Sequence, residues 1–327
     1  LIGGIGLFVV LAMIASRNPR WQRAWKRLRA DRVGIAAACV IALYLLVGAL
    51  EGLRFPQSGG GVMSVLELLF RRVPAEKTYS APFATTTLSV ANPEPLRGWH
   101  VLGTDALGKD TLVETLRACH TALLIGGLTS AIYIPVGALL GILAGYFRRR
   151  VDDAIQYLYS VIIAIPDVLL LASIILVIGK GVLTMAIALS ITSWIGLCRL
   201  IRGETLRQAE RPYVAAARAL GQSHWNIITR HILPNVMHLV IINFILGFSY
   251  LVIIESVLSY LSVGVPIGTP SWGIMIDGAR GELSRTPVVW WNLTAATTAM
   301  FLLVLSLNLF GNALRRAFDP KAGSRIA

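Results

Sequence analysis

The sequence predicts an all-α polytopic membrane protein, and three observations lead there. Of the 327 residues, 55% are hydrophobic and only 14% are charged, with a mean hydropathy of +0.68, too apolar for an ordinary soluble domain. Six windows, 33–50, 120–147, 154–179, 181–198, 236–263 and 288–310, meet or approach the roughly 17–25 apolar residues that a bilayer-crossing helix needs. The basic residues gather in alternate loops between those windows.

That third observation decides what the formal charge of +13 means. A basic chain is either a nucleic-acid binder or a membrane protein whose Lys and Arg collect on the cytoplasmic side. Loops 17–32, 148–153, 199–235 and 311–327 hold 20 of the 30 Lys and Arg. The opposite set, 51–119, 180 and 264–287, holds 10 over more residues, together with Glu51, Glu67, Glu76, Glu94, Asp105, Asp110, Glu114, Asp277 and Glu282. The first set is expected to be cytoplasmic, the C-terminus included, and no nucleic-acid partner is expected.

Taken in order, residues 1–16 are apolar and their positive charge follows the run instead of preceding it. That is the wrong order for a signal peptide and predicts an extra N-terminal transmembrane helix. Residues 17–32 form a basic cytoplasmic segment. Trp21, Trp25 and Leu28 stand there at i, i+4 and i+7, which suits an amphipathic helix on the inner membrane face; a simple basic anchor fits equally. After the 33–50 helix comes an extracytoplasmic loop, 51–118. Ser64 and Glu67 make a capping-box pattern there, predicting a short helix near 65–72. Residues 119–311 form the core of the membrane bundle, and 312–327 a cytoplasmic tail. Cys39, Cys119 and Cys198 lie in or beside apolar runs, so neither a disulfide framework nor a Cys-based zinc site is expected.

Two motifs mislead. "GTDALGKDT" (103–111) nearly matches the phosphate-binding pattern G-x-x-x-x-G-K-[ST], but Asp110 stands where Ser or Thr should hold magnesium. It reads better as a Gly- and Asp-rich turn leading into a helix. "RPYVAAARALGQSHWNIITRHILPN" (211–235) has the spacing of a DNA-binding helix-turn-helix, yet membrane windows close it on both sides. Pro212 suits a first helical position, Gly221 the C′ position that ends the helix, and Ser223 the N-cap of a second helix running to about Leu233. A helix pair too small to bury its own apolar face needs a partner. Small Ala215, Ala216 and Ala217 would let another protein approach the backbone closely. Tyr213, Ala215, Ala216, Ala217, Leu220 and Gly221 are the candidate docking residues.

This segment resembles the coupling segment, or EAA loop, of bacterial ABC-importer permeases, whose pattern is roughly E-A-A-x-x-x-G followed by I-x-x-x-I/V-L-P. Ala216, Ala217, Gly221, Ile228, Ile232, Leu233 and Pro234 match. Ala215 replaces the usual glutamate, and with it the carboxylate of any ion pair made there. "HVLGTDALGKD" (100–110), "TPSWGIMI" (269–276) and "WW…LSLNLFGNALRRAFDP" (290–320) are similar, in the same order, to elements of the dipeptide, oligopeptide and nickel branch. The resemblance spans about 20–322. It implies the type I importer fold of about six core transmembrane helices, here with one extra N-terminal helix, and a coupling segment over 205–234. It further implies a second homologous permease, two cytoplasmic ABC ATPase subunits that use ATP and Mg, an extracytoplasmic solute-binding protein, and a place in the bacterial inner membrane. On this reading the chain is not an enzyme, has no catalytic residue, and binds no cofactor or metal itself; its solute is expected to be a di- or oligopeptide, with nickel chelates and other small solutes left as alternatives that share the scaffold.

Two acids inside apolar windows, Asp167 and Glu255, are the candidate pathway residues, since an intramembrane carboxylate should face a cavity or a partner. The competing reading is an ion-coupled secondary transporter that uses these two acids as ion sites. Pro135 and Pro166 are expected to kink their helices.

Overall fold

The computed structural model describes residues 19–56, 62–71, 73–88, 93–266 and 268–318; the expected helix over 1–16 lies outside them. In chain order these residues form α1 (Pro19–Ala30), α2 (Arg32–Gly52), an antiparallel hairpin of β1 (Arg54–Pro56) and β2 (Val62–Ser64), and α3 (Val65–Leu69). There follow α4 (Thr111–Phe147), α5 (Arg149–Ile163), α6 (Asp167–Ile178), α7 (Val182–Ala209), α8 (Pro212–Ala219), α9 (His224–Tyr260), α10 (Trp272–Glu282) and α11 (Trp291–Phe318). Helices α2, α4, α7, α9 and α11 are each long and apolar enough to cross a membrane, and α5 with α6 makes a sixth span if counted as one broken helix. These coincide with the six windows read from the sequence.

The centre of the bundle is set by a stripe of small residues. Gly137, Gly141 and Gly145 recur every fourth position on one face of α4, so the backbone of α7 lies directly against them. A Cβ at these sites would come within 2.8, 2.7 and 2.7 Å of the carbonyl oxygens of Trp194, Cys198 and Arg202. Close backbone approach through small residues is the usual way that helices associate in lipid, where burial of apolar surface supplies no net drive. Ser190 and Thr129 extend the same contact with hydrogen bonds to main-chain carbonyls, Ser190 Oγ to Thr129 O at 3.3 Å and Thr129 Oγ1 to Ala186 O at 3.4 Å. Position increases together along both helices, so α4 and α7 run parallel. The connection between them, 148–181, must therefore recross the whole bundle.

That connection carries the bend expected at Pro166 in the window 154–179, sharpened to a break between two helices. α5 and α6 meet at 83°. Pro166 has no N–H and its ring disfavours helical geometry at Ile165. The Ile165 N–H turns to Ile162 O at 3.2 Å, and α6 restarts with the Leu170 N–H on Pro166 O at 3.0 Å. Pro135, by contrast, stays inside α4.

A correction concerns the helix expected from Ser223 to Leu233. Ser223 is indeed the N-cap, accepting from the Asn226 N–H at 3.3 Å, but the helix continues to Tyr260. A π-helical turn over Ile228–Ile232 lets the chain pass Pro234, with the Leu233 N–H on Ile228 O. Such a turn is how a helix absorbs a residue that cannot donate. There is thus no separate helix pair: α8 is a short bracket held between two long helices.

At the basic end of the bundle, Ala24 and Leu28 of α1 are buried in one cluster with Ala313, Leu314 and Ala317 of α11. Trp25 does not share that face; it is exposed, with the Arg29 guanidinium 5.2 Å from its ring. The strip that packs on α11 is therefore Ala24–Leu28, at i and i+4; of the strip expected on the membrane face, Trp25 is exposed, Leu28 is buried, and the Trp21 side chain lies outside the described ones. Asp31 caps α2 through the Val33 and Gly34 N–H groups, both at 3.1 Å, and pairs with Arg316 of α11 at 2.7 Å. Toward the acidic end, the expected capping box is present: Ser64 Oγ accepts from the Glu67 N–H at 3.0 Å, and Glu67 Oε2 from the Ser64 N–H at 2.9 Å.

Candidate docking helix and membrane carboxylates

α8 is built as the sequence pattern requires. Pro212 opens it, where a missing N–H costs nothing. Val214 and Ala217, three residues apart, turn inward and join the main core cluster. The helix closes in a Schellman motif: the Gly221 N–H donates to Arg218 O at 3.0 Å and the Gln222 N–H to Ala217 O at 3.1 Å, with Gly221 at φ +74°. Tyr213, Ala215, Ala216, Leu220 and Gly221 are exposed; Leu220 is 81% exposed, more than any other large apolar residue of this helix. Ala217, the sixth candidate, differs from these. It is 3% exposed, because its phase on the helix places it with Val214, and it serves to hold α8 to the bundle.

Tyr146, near the end of α4, joins this helix to two spans. Its hydroxyl meets His224 Nδ1 at 2.9 Å, and the Arg218 guanidinium lies 5.0 Å from its ring centre. Tyr213 is held from the other side: its hydroxyl donates to Gln208 Oε1 at 2.7 Å and accepts from Asn235 Nδ2 at 3.3 Å. Asp152 of α5 grips Arg202 of α7 through two hydrogen bonds of 2.5 and 2.7 Å. The basic end is therefore cross-linked around α8.

The two membrane carboxylates differ. Glu255 is 1% exposed and accepts from Ser259 Oγ at 2.9 Å, Ser271 Oγ at 2.9 Å and Ser256 Oγ at 3.2 Å. Three hydroxyl donors enclose it, and Ser271 is also the N-cap of α10. Glu255, expected on a pathway, here ties α10 to α9 through these serines. Asp167 is half-buried, in the first turn of α6, and accepts a hydrogen bond from the Tyr250 hydroxyl of α9.

The near-phosphate loop is likewise structural. Asp110 caps α4 through the Val113 N–H at 3.0 Å and holds His100 Nδ1 at 2.8 Å. His100, fully buried, also faces Glu76 Oε1 at 3.3 Å. Asp105 folds the loop by accepting from the Leu107 and Lys109 N–H groups, both at 2.8 Å. Trp291 of α11 donates to Thr104 O at 2.9 Å, and Trp272, in the "TPSWGIMI" stretch, donates to Thr115 O at 3.0 Å. Both sequence elements serve to clamp the acidic end.

The model of the binding-protein-dependent transport system inner membrane component family matches residues 137–324. The chain belongs to that family. The match begins at the first glycine of the stripe on α4 and takes in α8 entire. Among curated relatives, this permease is 27% identical to a dipeptide transport system permease of Lactococcus lactis, over 92% of this chain and 91% of the relative. It is 28% identical to a glutathione transport system permease of Pectobacterium atrosepticum, over 97% of both chains. It is 35% identical to a di/tripeptide transport system permease of Pseudomonas aeruginosa, over 68% of this chain and 72% of the relative. The permease is thus a multi-pass inner-membrane transport component. Sequence reasoning missed the glycine stripe, which its four-residue spacing could have shown, and also Tyr146, Tyr250 and the Asp152–Arg202 pair, which carry no local signal.

Proposed function

We propose that this permease is one half of the membrane channel of an ATP-driven peptide importer. It pairs with a second, homologous permease, receives di- or oligopeptides from an extracytoplasmic binding protein, and is worked by two cytoplasmic ATPase subunits that bind ATP and Mg themselves. The basic end of the bundle, with the C-terminus, faces the cytoplasm, as the distribution of Lys and Arg favours. The observation that carries this reading is α8: a short helix with a buried inner edge, a tight glycine cap and a bare face of small residues ending in exposed Leu220. A solvent-exposed Leu beside alanines, on a rigid bracket linked to three spans, suits a groove in a partner protein. Closure of the ATPase pair would swing α8, and with it α4, α7 and α9, between two arrangements of the bundle.

Peptides are favoured as solute by the relatives, whose names specify dipeptide, oligopeptide and di/tripeptide transport. The ion-coupled alternative needs two available acids, and Glu255 is enclosed by serines. Co-purification tests the docking role. The wild-type permease should bring down its ATPase subunit from membranes, and Ala216→Asp or Leu220→Asp should not. Retention of the ATPase by both variants would remove α8 as the docking element.

A further inference from the structure

We propose that Asp167 and Tyr250 form a station on the solute path that takes a protonated amine, the amino terminus of the peptide. The inference rests on the peptide-import reading above. It starts from the break between α5 and α6. Ile163, Ala164, Ile165 and Pro166 are all exposed, so the main chain is open where the helix is interrupted. Lipid tails cannot solvate such a break; within a membrane it is tolerated only beside protein or a water-filled cavity. The segment also has to recross the bundle, since α4 and α7 are parallel. The face that carries the break therefore looks toward water or the second permease, not toward lipid.

Asp167 adjoins that break, and its situation is unlike that of Asp152 and Glu255. Asp152 is matched by Arg202. Glu255 is closed in by three serine hydroxyls. Asp167 has one hydrogen bond, from Tyr250, and among the described residues no Lys, Arg or His forms an ion pair with it. It stands in the first turn of α6, at the positive end of the helix dipole. An open carboxylate without a cation, in a membrane segment, is expected to serve a passing charge.

Tyr250 narrows which charge. Tyr250 is 44% exposed and sits on a different helix, so a carboxylate and an aromatic side chain from two elements meet at one place. A primary ammonium group uses both: it donates charge-assisted hydrogen bonds to the carboxylate and lies against the ring face. Ile163, Ile165 and Leu169, near Asp167 in the chain, and Ile253, one turn from Tyr250, are exposed and suit the apolar side chains of a short peptide.

The test measures binding to the assembled permease–ATPase complex without the binding protein, so that the station is read directly. Alanyl-alanine and its N-acetyl form are titrated at millimolar concentration and followed by saturation-transfer NMR. The free dipeptide is expected to bind about tenfold tighter than the acetylated one, the size of one charge-assisted hydrogen bond. Asp167→Asn should abolish the difference and Asp167→Glu should keep most of it. Equal affinity for the two peptides in the wild type, no measurable binding of either, or a difference that survives in Asp167→Asn would overturn the proposal. If the Asn variant assembles poorly, Tyr250→Phe is measured instead. It leaves the carboxylate without its donor and should reduce the difference about threefold; an unchanged difference would count against the station. Uptake of alanyl-alanine by the complete importer separates the two readings: uptake without a station leaves peptide import standing, and no uptake removes both.

Discussion

The Tyr146 hydroxyl meets His224 Nδ1 at 2.9 Å, tying the basic end of α4 to the first turn of α9. The same ring carries the Arg218 guanidinium of α8, so one side chain touches all three elements that a docked engine would have to move together. Tyr146→Phe removes only the hydrogen bond, worth about 0.5–1.5 kcal/mol, and should leave solute-stimulated ATPase largely in place. Tyr146→Ala removes ring and hydroxyl alike. It should let the assembled complex hydrolyse ATP while transporting several-fold less solute per ATP. An unchanged ratio in the Ala variant would show that Tyr146 is not part of the linkage.

Gly221 is constrained by its backbone and not by its surroundings. A Cβ there meets nothing within 4 Å, yet φ is +74°. Left-handed geometry costs a β-bearing residue about 1–2 kcal/mol, least for Asn. Gly221→Val should therefore disturb the end of α8 and abolish stimulation of the ATPase by solute, whereas Gly221→Asn should retain most of it. Equal activity in the two variants would mean that the left-handed turn is unimportant.

The glycine stripe predicts a stability effect with an internal control. Gly141→Ala puts a methyl group within 2.7 Å of the Cys198 carbonyl, whereas at Gly127, on the same helix, a Cβ meets nothing within 4 Å. Overpacking of this kind costs about 1–3 kcal/mol. In detergent, thermal unfolding of Gly141→Ala should come several degrees below wild type, with Gly127→Ala unchanged. Equal melting of the two would argue against the close α4–α7 contact.

Glu282 predicts a pH dependence at the acidic end. Burial pushes its carboxyl above the ordinary carboxylate range, against the opposing hydrogen bonds from Asn292. A folded-state value above the unfolded one means that the contribution to stability is complete below the unfolded value. It is lost as pH rises through the folded one. Glu282→Gln has no such loss. Melting curves from about pH 4 upward should show wild type losing ground to the variant; parallel curves would contradict the assignment.

Much of the fold was legible because its signals are local. Hydropathy marks six spans, Pro212 and Gly221 bracket α8, and Ser64 with Glu67 mark α3. Pro166 marks the bend at 164–166, but hydropathy runs unbroken through it and gives no sign of a full break. Pro234 suggested a helix end, but a π turn carries the chain past it. Ala217 could be sorted from Ala215 and Ala216 only by the phase that Val214 fixes in the packed structure. The pairs Tyr146–His224 and Asp167–Tyr250 join residues 78 and 83 positions apart, and a single sequence gives no indication of such partners.

ATP-driven solute uptake into vesicles decides whether α8 transmits work from a separate engine. Vesicles holding both permeases and the ATPase subunits, supplied with binding protein and with ATP on the ATPase side, should accumulate a labelled dipeptide. The same vesicles built with Ala216→Asp, or lacking the ATPase, should not. Accumulation by the two permeases alone would contradict the assignment outright.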